Sequence, residues 1–362
     1  MPQIRNSNIE LLRILCMLMV TMLHFNHCAN THFLSFPDII EVGDKWAFLL
    51  ESFCIVAVNC FVLISGYFGI KLKGKSILKL YLQCLWMGTL AYLLCVWLTP
   101  ETLSIKSLMG RFFAFTHNHW WFVVSYVCLM LFSPILNGAV QVLSKKQLLL
   151  SVILYGAIIF YFGWYKHLEN TNSGYSFLSF IFLYLLGRYI GEYISFDKIR
   201  KYRWLSLCGY VFGCLVGFGL ILLHYHMGWN VRYDFSYDHP LVVLSACGLF
   251  LFFASLNFQN KWVNWCASSV FSAYLLQESP YLGDNVLYPF LREAFANTHA
   301  FKWGGVFVFA LAFLIIAIIL DKLLKPLSNI VLKLYDNYIF KLKKNEDKTS
   351  ICINMRSRSD VY

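Results

Sequence analysis

Apolar runs of about twenty residues recur along the whole chain, and no other feature so narrows what it can fold into. A helix rises 1.5 Å per residue, so about 20 apolar residues are needed to cross a hydrocarbon core ~30 Å thick. Ten such runs can be traced, at 9–29, 47–69, 77–98, 119–137, 147–165, 176–193, 204–224, 240–257, 265–282 and 304–324. In lipid each backbone polar group must bond within its own segment or to a protein neighbour, so runs of this length are read as helices. The sequence therefore predicts an all-α, polytopic membrane protein of about ten transmembrane helices. Composition agrees. Only 14% of the 362 residues are charged, against roughly 25% in a soluble domain. Too little polar surface exists to face water on all sides. Pro134 and Pro280 fall inside two of the runs, which a bundle tolerates where neighbours take up the freed carbonyls.

The net charge of +11 does not point to nucleic acid, because the cations sit in short clusters between the apolar runs. With the N-terminus inside, 22 of the 30 Lys and Arg lie in inner segments and seven in outer loops, with only Arg188 left within a span. That alternation follows the positive-inside rule and places both termini in the cytoplasm. The expected organisation is a membrane domain over 1–325, followed over 326–362 by a cytoplasmic interfacial helix and a disordered basic tail. The first run lacks a small-residue cleavage site and is read as a retained helix. Twelve cysteines are scattered without a CxxC pair, most of them within apolar runs, as small buried hydrophobes are. No metal-ligand spacing, phosphate-binding loop or dinucleotide fingerprint occurs, so no metal and no permanently bound cofactor is expected.

Ionisable groups inside spans are costly, and each marks a candidate site. Arg13 and His24 are eleven residues apart; at 100° per residue they share one face of the first helix, about 16 Å apart along it. Sorted by depth, Arg13, Arg188 and the Lys71–Lys79 cluster lie toward the inside. His24, Glu51, His119 and Glu278 lie toward the outside, with Asn59 between. Inner cations suit an anionic cosubstrate, and outer histidine and carboxylates suit proton transfer. A snorkelling arginine, interfacial carboxylates and an aromatic belt around HWWF would give the same pattern without a site. His27 and His32 are assigned to the outer loop.

Several segments resemble the acyltransferase family 3 membrane proteins. NSNIELLRILCMLMVTMLHF carries Arg13 and His24 as that family's R-x10-H signature. NCFVLISGYFGIKLKGK matches the exit of its second span, HNHWWFVVSYVCLMLFSPILN its H-x-WF and SP segment, FLYLLGRYIG its LGR element around Arg188, and SSVFSAYLLQESPYL its ninth-span signature. The matches run in order from about residue 5 to 325. Two departures stand out. Gln277 replaces the histidine often found in the ninth span, and Lys75 and Lys79 stand where many relatives carry an arginine pair, losing bidentate phosphate contact.

The resemblance implies a membrane O-acyltransferase. It would move an acyl group, usually acetyl from acetyl-CoA, to a hydroxyl of an extracytoplasmic carbohydrate such as a capsule, exopolysaccharide or O-antigen, in a bacterial cytoplasmic membrane. On this reading His24 is the central catalytic group, as base or as acyl carrier, with Glu278 or Glu51 orienting it. Arg13, Arg188, Lys79 and Lys75 would bind the acyl-CoA phosphates, and His119 and Trp121 the acceptor. The alternatives are a polysaccharide exporter or a non-catalytic assembly subunit of a surface-glycan machine.

Overall fold

The computed structural model describes residues 6–29, 45–115, 120–166, 172–227, 235–296 and 302–359. Among them there is no strand. Seven helical segments are long and apolar enough to cross a membrane: Ser7–Ala29 (α1), Lys45–Phe68, Gly74–Leu98 (α4), Trp121–Val142 (α6), Lys145–Tyr165, Arg203–His224 within α10 (Arg203–Met227), and Gly304–Phe340 within α15 (Lys302–Ser359). The other three expected spans are helical but shorter. They form α8 (Phe177–Tyr193), α11 (Pro240–Ala254) and the broken pair α12 (Lys261–Ala267) and α13 (Phe271–Gln277).

The apolar runs are treated differently along the chain. The second apolar run divides into α2 (Lys45–Cys54) and α3 (Ala57–Phe68). Pro134 cannot donate to Met130, and Ser133 Oγ donates to that carbonyl instead at 2.7 Å, so α6 continues through the proline. Pro280 acts differently. It disfavours helical backbone at the residue before it, and α13 ends at Gln277 with Glu278 as its C-cap. The expected ninth span at 265–282 is two short helices, divided over 268–270, with the partly buried Glu278 at the end of the second. Helix starts follow ordinary capping chemistry. Ser144 and Gln147 form a capping box on α7 (Lys145–Ile159), Ser176 caps α8, and Asn260 caps α12.

α1 runs through the centre, packed against α2, α3, α11, α12, α13, α15 and the short α14 (Tyr288–Ala296). Its start is tied down by polar contacts. The Ser7 hydroxyl accepts the Asn260 N–H at 2.8 Å, and Asn8 Nδ2 donates to the Phe253 carbonyl at 2.9 Å. α3 and α8 meet through glycines, as close helix crossings in membranes do. A Cβ on Gly66 would lie 3.0 Å from the Gly187 Cα, and one on Gly191 would lie 2.5 Å from the Tyr67 carbonyl oxygen. The SGY and LGR motifs are therefore the two halves of one crossing. At its end Gly69 adopts φ +70°, and a side chain there would meet Arg188 Nη1 at 2.7 Å.

α15 departs from expectation. In place of a separate interfacial helix and a disordered tail after residue 325, one helix continues through Pro326 to Ser359. Its extension is held against the start of α4 by an ion pair between Lys75 Nζ and Asp336 Oδ2 at 2.6 Å. The proline removes one ladder bond, and the helix runs on past it.

Gly187→Val should force α3 and α8 apart and destabilise the bundle by about 1–3 kcal/mol, read as a lowered unfolding temperature in detergent. Gly138→Ala, where an added Cβ meets nothing within 4 Å, should leave that temperature unchanged.

Candidate active site

Three residues of α1 spaced along one face, Met17, Val20 and His24, form one wall of a cavity of about 480 Å³. Arg13 continues the same face one turn toward the basic end. Val58 and Phe61 of α3, Trp121 and Phe122 of α6, and Phe271 and Tyr274 of α13 line the rest, with Tyr175 and Tyr237. Trp121 stacks on Tyr237 with ring centroids 5.9 Å apart, and Tyr175 sits between them at 4.5 and 4.7 Å. Asn59 holds this aromatic group in place, its Nδ2 donating to the Tyr237 carbonyl at 2.9 Å. Aside from His24 and the phenols, the cavity is apolar, which raises the strength of any charge interaction at its rim.

His24 Nδ1 lies 2.9 Å from Glu278 Oε1. The same carboxylate oxygen accepts the Tyr288 hydroxyl at 2.6 Å. Burial first, and the carboxylate second, push the Tyr288 phenol well above its ordinary pKa, so it remains a proton donor. A carboxylate at Nδ1 selects the tautomer protonated there and leaves the lone pair on Nε2. That is the arrangement a histidine needs to act as a base or as a nucleophile. The His24 and Glu278 side chains are 31% and 22% exposed, so a reactant can reach them.

Glu51 is not part of this pair. Its Oε1 lies 3.2 Å from His27 Nε2, and its Oε2 accepts from Asn26 Nδ2 at 3.3 Å. His27, expected in the outer loop, is in the last turn of α1. Its spacing of three residues from His24 is the sequence signal that places both on neighbouring positions of one helix. Tyr288 carried no comparable signal, since the bend at Pro280 brings α14 back to α1.

The expected basic groups are dispersed, each with its own partner. Arg13 Nη1 pairs with Glu10 Oε1 at 2.5 Å, Arg188 with Glu192, and Lys75 with Asp336. Arg188 Nε is buried with no hydrogen-bond partner among the described residues. Lys79 lines a second, polar cavity of about 520 Å³ with Gln83, Ser268, Asp321, Lys325 and Asn329. Asp321 lies inside the expected 304–324 span and Lys325 one residue beyond it, and neither was among the expected site residues. His119 lies outside the described residues. Gln277 is fully buried beside Glu278, with neither amide atom partnered among the described residues. The described residues contain no group of three or more His, Cys, Asp or Glu able to hold a metal.

The family model described as an acyltransferase domain matches residues 6–322, a stretch that contains every residue of this cavity. The chain belongs to acyltransferase family 3. No curated protein and no solved structure matches it. This member of the family is a multi-pass membrane acyltransferase. Its His24–Glu278 pair stands where the R-x10-H and ninth-span motifs meet in space.

Tyr288→Phe deletes a hydrogen bond to a charged group worth about 1.5–3 kcal/mol. Acyl transfer should fall about tenfold or more, with the protein still monodisperse by size-exclusion chromatography. An unchanged rate would detach Tyr288 from the site.

Proposed function

We propose that this acyltransferase moves an acyl group, most simply acetyl, from cytoplasmic acyl-CoA to a hydroxyl of an extracytoplasmic carbohydrate. The supporting observation is the layout of one helix: Arg13 near the basic end of α1 and His24, backed by Glu278, about 16 Å further along the same face. An apolar cavity lies beside that face. The bacterial cytoplasmic membrane, with both termini inside, is the setting this reading assumes.

CoA is polyanionic and confined to the cytoplasm, so its phosphates would meet the basic ends of the helices. Arg13, Arg188, Lys75 and Lys79 are the candidate contacts there. Their present partners do not argue against this. The Lys75–Asp336 pair is half exposed on both sides, and exposed pairs are worth only about 0–1 kcal/mol. Exchanging a carboxylate for a phosphate therefore costs little. The unpartnered Nε of Arg188 is a further donor to offer. The pantetheine arm is slender and largely uncharged, and it would have to extend along α1 from the basic end to the aromatic cavity at His24.

At the outer end His24 would use Nε2 to attack the thioester or to deprotonate the acceptor. Glu278 stabilises the imidazolium character that develops in either route, as a carboxylate does in a catalytic triad. Trp121, stacked on Tyr237 and packed at a tilt against Tyr175, offers a flat face suited to a sugar ring, with His119 as the second candidate contact. A narrow cavity closed by aromatic side chains favours group transfer over polysaccharide export, which needs a wide continuous path.

Surface glycan from cells carrying wild-type protein, His24→Ala or no protein should be compared by NMR. We expect O-acetyl signals with wild type alone, and equal amounts of glycan in all three. Loss of the glycan itself would support export or assembly. Acetylation retained by His24→Ala would remove His24 from the reaction.

A further inference from the structure

The site contains two histidine–glutamate pairs, and the reaction as proposed uses one. His27 follows His24 by three residues on α1, which sets their Cβ atoms about 5–6 Å apart. Its Nε2 faces a carboxylate that is almost wholly enclosed, with the Glu51 side chain 6% exposed. Asn26 holds the other oxygen of Glu51 and also donates to the Ala47 carbonyl at 3.1 Å. That second bond already ties α1 to α2, so joining the two helices does not require an ionisable pair. A buried carboxylate is costly, and its retention beside a histidine calls for a chemical reason.

Position supplies one. His27 is 56% exposed and His24 31%, so His27 is the outer of the two. Tyr175, a wall of the aromatic cavity, lies within electrostatic reach of both Glu51 and Glu278. His24 is on the wall of that cavity, and His27 follows one turn further along α1, at its outer end. With a carboxylate at Nε2, the proton resides there and the lone pair is on Nδ1. His24 has the reverse assignment. One histidine thus presents Nε2 and the other Nδ1.

We propose that His27, oriented by Glu51, is the base for the acceptor hydroxyl, while His24, oriented by Glu278, carries the acyl group. This rests on the acyl-CoA reading above. In the first half-reaction the His24 Nε2 lone pair bonds to the thioester carbonyl carbon, the C–S bond breaks, and CoA leaves as the thiolate, which takes a proton from cytoplasmic water. In the second, the acceptor oxygen bonds to the same carbon as its proton passes to His27 Nδ1. The C–N bond breaks, returning the electron pair to His24 Nε2. His27 then releases its proton to the outer solvent. Two adjacent bases serve because an acylated imidazole has no lone pair left to accept the acceptor's proton.

The full-length protein in liposomes allows the halves to be read separately. Isotope exchange between acetyl-CoA and labelled free CoA reports the first half and needs no acceptor. Acetate release to water, together with ester formation on methyl glucopyranoside, reports the second. Wild type should support both. His27→Gln should retain exchange while acetate and ester formation fall about 100-fold or more. His24→Ala should lose both. Glu51→Gln, which keeps the Asn26 contact, should show the His27 pattern more mildly and serves if His27→Gln fails to fold. Loss of exchange together with transfer in folded His27→Gln would mean a structural role and overturn the proposal, as would transfer at the wild-type rate. Product formed by wild type without exchange would also overturn it, leaving the acyl-CoA reaction intact. Neither exchange nor product from acetyl-CoA or longer acyl-CoAs would remove the acyl-CoA reading, and this proposal with it.

Discussion

Within hydrocarbon a peptide group has no water to bond, and an unpaired one costs several kcal/mol. That constraint makes this chain helical, and it also governs where a helix can stop. At Pro134 a serine hydroxyl takes up the carbonyl that the proline leaves, and the helix goes on. At Pro280 the helix ends, and the interruption leaves Glu278 as a C-cap facing α1. Had the ninth segment continued unbroken, the backbone would have bent elsewhere and α14 would not return to deliver Tyr288. The Glu278 carboxylate thus owes its position to a helix that stops, with the backbone groups at its end turned back on one another.

The same economy applies to charge. Among the described residues each of Glu10, Glu51, Glu278 and Asp321 lies against a cation or a histidine. At the basic end these pairs are with Arg13 and Lys325. At the opposite end they are with His24 and His27, the side-chain type most often used for proton transfer. Lysine and arginine pairs thus gather at one end of the bundle and histidine pairs at the other.

Close helix contact keeps these groups in register. The Gly66–Gly187 crossing lets α3 approach α8 at backbone distance, and α3 carries Val58 and Phe61 into the cavity wall. Arg188 follows Gly187 directly, so the glycine that permits the crossing also sets the arginine at its basic end, against Gly69. The two motifs are separated by more than a hundred residues in the chain and form one piece of architecture.

The sequence by itself determined the membrane-embedded helical class, the family, and the face shared by Arg13 and His24, because hydropathy and helical period are local properties. It also pointed to Glu278, since a ninth-span motif is visible as a string of residues. Which carboxylate meets which histidine was decided only by the tertiary structure. Glu51 and Glu278 have similar depth along their segments, and depth alone cannot tell that α2 brings Glu51 to His27 while the break before Pro280 brings Glu278 to His24. The return of Tyr288 and the unbroken run of α15 past Pro326 were hidden for the same reason. Each depends on contacts between segments far apart in the chain, and periodicity within a segment carries no record of them.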